Sequence, residues 1–162
     1  MVSTKLLEAL NGQIRLEMES SQLYLAMAAY FHDRNLDGMA QWMRAQSSEE
    51  YGHAMRIFDH LRDRGSRIRL EGLSQPKGEW TSPLEAFEEA YRHEQFITGK
   101  INDLVKLAAA ESDYPAGIML QWFVSEQVEE ESSVSKVVQQ LKLIGNSGSG
   151  LVMLDRQLGK RS

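Results

Sequence analysis

Glu50 and His53 are the residues of this chain whose types and spacing most clearly could do chemistry. They stand in the segment SSEEYGH, residues 47–53, on the same helical face as Met43 and Ile57, where apolar residues are expected. A buried, unpaired carboxylate is strongly disfavoured, and no Lys or Arg interrupts the apolar stripes at that height. Bound cations would supply the missing charge. Three other stripes of helical spacing have similar polar interruptions, at Glu17, at Glu94, and at Gln127 with Glu130.

The polar interruptions follow an internal repeat. The step along the chain from Glu17 to Glu50 equals the step from Glu94 to Gln127. The spacing of Glu50 and His53 also recurs, between Gln127 and Glu130. A single offset therefore relates each member of the first set to one member of the second. We predict two similar helical hairpins, with the polar residues of each hairpin at one height.

The polar set predicts a centre for two metal ions. Its four carboxylates balance two divalent cations, or two trivalent cations bridged by an oxide. Oxygen-rich ligation with a single His favours iron or manganese over copper, and the absence of cysteine excludes thiolate sites. One Glu from each of two helices, with Glu-x-x-His motifs from the others, is typical of di-iron helical bundles. Only one such motif is present here, from Glu50 to His53, and its counterpart reads Gln127-x-x-Glu130.

Five helices are predicted to position these residues. The periodicity predicts a first helix at about residues 4–33, and a second from Asp37, as its capping residue, to about residue 64, where Gly65 ends it. The third begins with Ser82 as its cap and Pro83 at its first position. The fourth follows the break at 111–115 and runs to about residue 144, and a short fifth helix covers residues 151–158.

The helices predict one all-α domain over residues 1–162. A four-helix bundle occupies about residues 4–145, and a short helix with a tail occupies 146–162. The connection at 65–82 has 18 residues, whereas antiparallel neighbours need only about 2 to 8. The spacing permits either topology, but a connection of this length favours a crossover that leaves the second and third helices parallel.

Composition argues against several classes of function. A formal net charge of −5 is unfavourable for a nucleic-acid partner. No run approaches the ~20 apolar residues of a membrane span, and the beginning of the sequence lacks the continuous apolar run of a signal peptide. We therefore expect a cytoplasmic protein without a membrane partner.

These residues and elements together resemble the ferritins, in particular the bacterial non-haem ferritins. The resemblance covers nearly the whole chain and implies an iron-storage ferritin with ferroxidase activity. Fe(II) would be oxidised by O2 or H2O2, and ferric mineral would be kept in a homo-oligomeric shell of 24 chains. The residues that carry the resemblance are Glu17 with Tyr24, SEEYGH at 48–53, Glu94, SEQVEEE at 125–131, the long connection and the short fifth helix.

The resemblance also implies a ligand set for a di-iron centre. Glu17, Glu50 and His53 would bind the first iron. Glu50 would bridge to the second iron, which Glu94 and Glu130 would also bind.

Further residues would surround that centre. Gln127 would form a hydrogen bond rather than ligate. Tyr24 is either a core tyrosine with a satisfied hydroxyl or, beside a redox metal, a hydrogen-bond partner of a ligand or an electron donor. The acidic residues near the end of SEQVEEE form either a solvated face or part of a third iron site. In the resemblance, that third site corresponds to Glu49, Glu126, Glu129 and Glu130.

Two departures from related ferritins limit what the resemblance implies. Haem-binding bacterioferritins have a Met directly after the Glu of the Glu-x-x-His motif, where this chain has Tyr51, and they keep a second such motif. We therefore expect no haem. Many animal ferritins line a channel with an Asp and a Glu near the start of the fourth helix, and the matching positions here are Gly117 and Leu120. That route for iron entry is therefore not expected.

Two other functions are compatible with the sequence. One is a rubrerythrin-like di-iron oxidase or peroxidase without storage, although the Cys-rich domain that such proteins often carry is absent. The other is a non-catalytic helical bundle whose carboxylates hold a structural metal. Only the storage protein would both consume O2 on addition of Fe(II) and retain much iron.

Overall fold

A computed structural model describes residues 1–162 and contains five helices and no strands. The predicted all-α fold is confirmed. The second helix ends one residue earlier than predicted, and the fifth begins three residues earlier. None of the helices is long and apolar enough to cross a membrane. The helices are α1 (Thr4–Asp33), α2 (Asp37–Asp63), α3 (Pro83–Ala110), α4 (Tyr114–Ile144) and α5 (Gly148–Leu158).

Short polar side chains begin most of the helices. The hydroxyl of Ser82 accepts a hydrogen bond from the Glu85 amide at 3.1 Å, directly before Pro83, as predicted. The prediction for Asp37 is wrong, because Leu36 is the N-cap and Asp37 is already helical. The Asp37 carboxylate instead lies 2.7 Å from Nδ1 of His32 at the end of α1. An imidazole from the preceding helix has therefore taken the place of the helix amides as its partner.

The long connection runs along α1 in the direction of that helix. Its early residues contact the beginning of α1, its middle contacts the centre, and its end reaches the last turn. Because α2 returns to the beginning of α1, this path carries the chain back to the end at which α2 started. Helices α2 and α3 are therefore parallel, as the length of the connection predicted. The contacts are Asn11 with Arg67 (3.2 Å), Glu19 with Ser74 (3.2 Å) and Arg34 with Trp80 (3.3 Å).

The apolar core is divided into two clusters. One contains Tyr24, Phe31 and Phe87, and lies towards the end of the bundle where α5 docks. The other contains Ile57 and Phe123, and lies towards the opposite end. Burial of each such side chain contributes about 1.5–3 kcal/mol. The packing of these two clusters stabilises the bundle on both sides of a layer of polar side chains at its mid-height. Burial of those polar groups would otherwise be unfavourable.

Candidate metal centre

Each of the four long helices brings at least one of the predicted polar residues into this layer. All six residues are no more than 4% exposed. Residues from separate helices meet in one layer because each hairpin places its polar residues at one height, as the repeat predicted. The contributors are Glu17 from α1, Glu50 and His53 from α2, Glu94 from α3, and Gln127 and Glu130 from α4.

The ligand atoms form two overlapping groups that share Glu50. Glu17, Glu50 and His53 each offer one atom, all within 4.8 Å of one another. Glu50, Glu94 and Glu130 form a second group under the same limit. A shared carboxylate between two three-residue groups is the geometry in which two cations are held close together.

The imidazole of His53 is surrounded by carboxylates. Its Nδ1 lies 3.1 Å from Oε2 of Glu50 and 3.8 Å from Oε2 of Glu17. Its Nε2 lies 3.7 Å from Oε1 of Glu126 and 4.0 Å from Oε1 of Glu130. His53, Glu126 and Glu130 thus form a third group of potential ligands on the other side of the ring.

Burial and mutual repulsion change the acidity of these groups. Burial, followed by the charge of Glu94, raises the pKa of Glu50 well above its usual value and raises the pKa of Glu130 to about 8. Burial alone would lower the pKa of His53, but the nearby carboxylates of Glu17 and Glu50 outweigh it and raise this pKa to about 11. Protons therefore offset part of the negative charge until a cation replaces them.

Two buried oxygen atoms of the centre have no hydrogen-bond partner within the chain. They are Oε2 of Glu17 and Oε1 of Gln127. Buried polar atoms are nearly always paired, and an unpaired carboxylate oxygen is the donor that a hard cation needs. The donor set therefore fits an oxygen-preferring metal such as iron.

Glu94 is held by donors on both of its carboxylate oxygens. The hydroxyl of Tyr24 donates to Oε1 at 2.5 Å, and Nε2 of Gln127 donates to Oε2 at 3.1 Å. The same amide group also lies 3.1 Å from Oγ1 of Thr98. Burial and the charge of Glu94 raise the pKa of Tyr24 well above its usual value, so the phenol keeps its proton. Tyr24 is thus a hydrogen-bond partner of a candidate ligand.

Two buried glutamines were not predicted as part of the site. Nε2 of Gln13 donates to Oε1 of Glu17 at 3.0 Å. Nε2 of Gln46 donates to Oε1 of Glu50 at 2.9 Å and also to Oε2 of Glu130, at 2.5 Å. Each glutamine lies one helical turn before a ligand-type glutamate, so the step from Gln13 to Gln46 equals the step from Glu17 to Glu50. That shared spacing is the signal that could have identified them.

The residues predicted for a third iron site are only partly assembled. Glu126 lies beside His53, with 22% of its side chain exposed. Glu49 forms an ion pair with Arg161 at 3.0 Å, and Glu129 is exposed. Glu49 and Glu129 join none of the three groups of ligand atoms. Leu120, which stands where many animal ferritins have a channel carboxylate, is fully buried.

The fold and the buried layer define a four-helix bundle with a carboxylate-rich candidate site for metal ions. Comparison with known proteins agrees, because residues 7–144 match the ferritin-like domain family. The chain belongs to the ferritin-like family, and its similarity to the proteins described below places it with the iron-storage ferritins.

Relatives from bacteria and an archaeon match over almost their full length. The bacterial non-heme ferritin of Escherichia coli O6:H1 is 41% identical over 158 residues, covering 98% of this chain and 96% of the relative. That of Bacteroides fragilis is 40% identical, covering 99% of this chain and 100% of the relative. The open pore ferritin of Archaeoglobus fulgidus is 46% identical, with a TM-score of 0.99 and full coverage of both chains.

Proposed function

We propose that this protein is a ferroxidase that oxidises Fe(II) at the buried centre before storing the ferric product. The observation that carries the proposal is the sharing of Glu50 by two groups of buried ligands. One Fe(II) would lie among Glu17, Glu50 and His53, and the other among Glu50, Glu94 and Glu130. Both ions are substrates, and the centre would bind them as a pair.

The oxidation step takes one electron from each of the two Fe(II) ions. Two electrons and two protons convert O2 to H2O2, or convert H2O2 to two molecules of water. Buried carboxylates favour the higher charge of Fe(III) over that of Fe(II) because few other charges compensate them. His53 and Glu130, which hold protons in the metal-free protein, would release them as the cations bind.

The residues around the pair would keep the ligands in place. Tyr24 and Gln127 would orient Glu94 through their hydrogen bonds rather than bind metal themselves. Oxidised iron would leave by the side of His53 that faces Glu126, where Glu49, Glu129 and Glu130 complete the third iron site. The third group of ligand atoms, formed by His53, Glu126 and Glu130, supports this direction.

The shell is part of the same proposal. We expect a cytoplasmic homo-oligomer of 24 chains without haem. Among the similar solved structures are an open pore ferritin from Archaeoglobus fulgidus and an engineered closed form of that protein. Electron microscopy of the purified protein distinguishes an open from a closed shell, and a bundle that does not assemble would contradict storage.

One experiment tests oxidation and storage together. Fe(II) is added aerobically in large excess, and O2 uptake is followed with the iron that co-elutes with protein on a sizing column. Fast uptake with much retained iron is the expected result. Fast uptake with about two irons retained per chain would instead indicate a rubrerythrin-like oxidase. Uptake equal to that of the protein-free control would leave only a structural metal site.

A further inference from the structure

The segment after α5 brings a cation to the edge of the metal centre. Arg161 lies there against α2, with its guanidinium carbon 4.4 Å from the centre of the Trp42 ring. Its Nη1 donates to the Trp42 carbonyl oxygen at 3.3 Å, and Nε2 of Gln41 donates to the Arg161 carbonyl oxygen at 3.2 Å. Its side chain is 22% exposed. Arg161 is therefore fixed in place by several contacts and is more than a mobile surface charge.

The guanidinium connects directly to the polar layer through Gln46. Nη2 of Arg161 donates to Oε1 of Gln46 at 2.9 Å. The amide of Gln46 is fully buried and donates from its other side to Glu50 and Glu130. Because Arg161 takes the acceptor end of the amide, the donor end must face the two carboxylates. A flipped amide would place its oxygen against carboxylate oxygens and its NH2 group against a guanidinium.

The same nitrogen of Arg161 also holds Glu49. Nη2 lies 3.0 Å from Oε2 of Glu49, whose side chain is 47% exposed. Glu49 is one of the carboxylates of the proposed third iron site, directly before the bridging Glu50 in the sequence. A metal ion and a guanidinium at that oxygen atom repel each other, so the two cations compete for it.

We propose that Arg161 is a built-in counter-ion of the third iron site, which competes with a metal cation for Glu49. The Gln46 bond and the Trp42 ring hold the guanidinium at that position while the site is without a third cation. Binding of the third cation then requires Arg161 to release Glu49. The third site would consequently be weaker than the central pair, and ferric iron would be passed on rather than kept there. This inference rests on the proposed function.

A metal titration in the absence of O2 tests the inference without any turnover. Co(II) is titrated into the metal-free, assembled full-length protein, and binding is followed by calorimetry and visible absorption. In Arg161→Ala, the cation that binds after the first pair should bind roughly tenfold more tightly than in wild type, because a nearby positive charge is gone. The first pair should bind with unchanged stoichiometry.

A matched variant distinguishes the effect of the contact between Arg161 and Glu49 from the effect of net charge. Lys160 is the adjacent residue, is exposed and forms no ion pair within the chain. Lys160→Ala removes the same charge but should leave the later binding step unchanged. Arg161→Gln, which keeps a donor for Gln46 but loses the charge, should behave like Arg161→Ala and serves in its place if the alanine variant does not assemble. In a Glu49→Gln background, Arg161→Ala should have no effect on that step.

The outcomes distinguish the inference from the proposed function. Equal effects of Lys160→Ala and Arg161→Ala, or no effect of either arginine variant, would overturn the inference while a normal first pair preserves the di-metal centre. Persistence of the Arg161→Ala effect in the Glu49→Gln background would also overturn it. Failure of the first pair to bind in wild type would instead contradict the proposed function itself.

Discussion

The hydroxyl of Tyr24 donates a hydrogen bond of 2.5 Å to Oε1 of Glu94, a residue 70 positions later in the chain. This contact joins the two hairpins, because Tyr24 is on α1 and Glu94 is on α3. Both side chains are fully buried. A phenol that keeps its proton is a fixed donor, so it restricts Glu94 to one orientation. The contact therefore bears on metal binding as well as on packing.

Tyr24→Phe should weaken the second cation site while the protein remains folded. Loss of a hydrogen bond to a charged group costs about 1.5–3 kcal/mol, so the cation held by Glu94 should bind at least about tenfold more weakly. Anaerobic Co(II) titration measures this, and stopped-flow absorbance should show slower oxidation of Fe(II). Tyr30→Phe is the matched control, since the Tyr30 hydroxyl is buried without a partner. An identical effect of both variants would exclude a specific role for the Tyr24 hydroxyl.

Glu94→Gln should abolish fast oxidation of Fe(II) but not destabilise the metal-free protein. The amide has nearly the same shape as the carboxyl group but carries no charge, so it removes a buried like-charge neighbour of Glu50 and Glu130. O2 uptake measures the first effect, and urea unfolding of the metal-free protein measures the second. Asp103→Asn, an exposed change on the same helix, should alter neither. Fast oxidation by Glu94→Gln would argue against the proposed centre.

The fold could be predicted from sequence because its determinants are local. Apolar periodicity defined the four long helices, and Ser82 with Pro83 defined the start of α3. The length of the connection predicted the crossover, although only the contacts of the connection along α1 establish its path. Asp37 was wrongly predicted as a cap because its actual partner, His32, belongs to the preceding helix. An aspartate before a helix does not indicate by itself whether its side chain will contact the amides of that helix or a side chain of the preceding helix.

The central polar residues could be predicted because a charged residue at an otherwise apolar position of a helix stands out. The internal repeat also relates these residues in the first hairpin to those in the second. Gln13 and Gln46 have the same spacing as the glutamates that they contact, but no charge distinguishes them from other polar residues. The repeat also fails for them, because the equivalent positions of the second hairpin are Ala90 and Phe123. Arg161 could not be predicted at all. Its contacts with Gln46 and Glu49 depend on how the segment after α5 folds back onto α2.

The raised pKa of Glu130 should make the metal-free protein less stable as the pH rises from 5 to 8. The pKa of Glu130 rises from 4.5 in the unfolded chain to about 8 in the folded one, so the folded state keeps a proton that the unfolded state has lost. His53, whose pKa rises from 6.5 to about 11, acts in the same direction at higher pH. Each group contributes at most about 1.4 kcal/mol per pH unit. Urea unfolding of metal-free protein across this range measures the trend.

Two variations of the urea-unfolding experiment identify which groups cause the dependence of stability on pH. Glu130→Gln should reduce the slope, because the amide cannot bind the proton. Saturating Co(II) should also reduce it, since the cation displaces the protons from the centre. A slope that is equal in wild type and in Glu130→Gln would show that the Glu130 carboxyl group is already ionised at the lower pH.

Gly38→Ala should detach α5 from the bundle. A Cβ atom at Gly38 would lie 1.7 Å from the carbonyl oxygen of Asp155, so the two backbones cannot keep their present distance. The nearby hydrogen bond from the Met39 amide to Oδ1 of Asp155, at 2.8 Å, would be lost as well. Overpacking of this kind costs about 1–3 kcal/mol. Limited proteolysis should then cleave within residues 145–162, while α1 to α4 remain protected.

Gly99 provides the control for that substitution, because it lies inside α3 with no heavy atom within 4 Å of an added Cβ. Gly99→Ala should raise the free energy of unfolding by about 0.5–1 kcal/mol through the better helix propensity of alanine.

In Gly38→Ala, detachment of α5 also removes Arg161 from Glu49. The later Co(II) binding step should therefore tighten as it does in Arg161→Ala. Weaker or unchanged binding of that cation in Gly38→Ala, with α5 shown by proteolysis to be detached, would contradict the link between α5 docking and the third iron site.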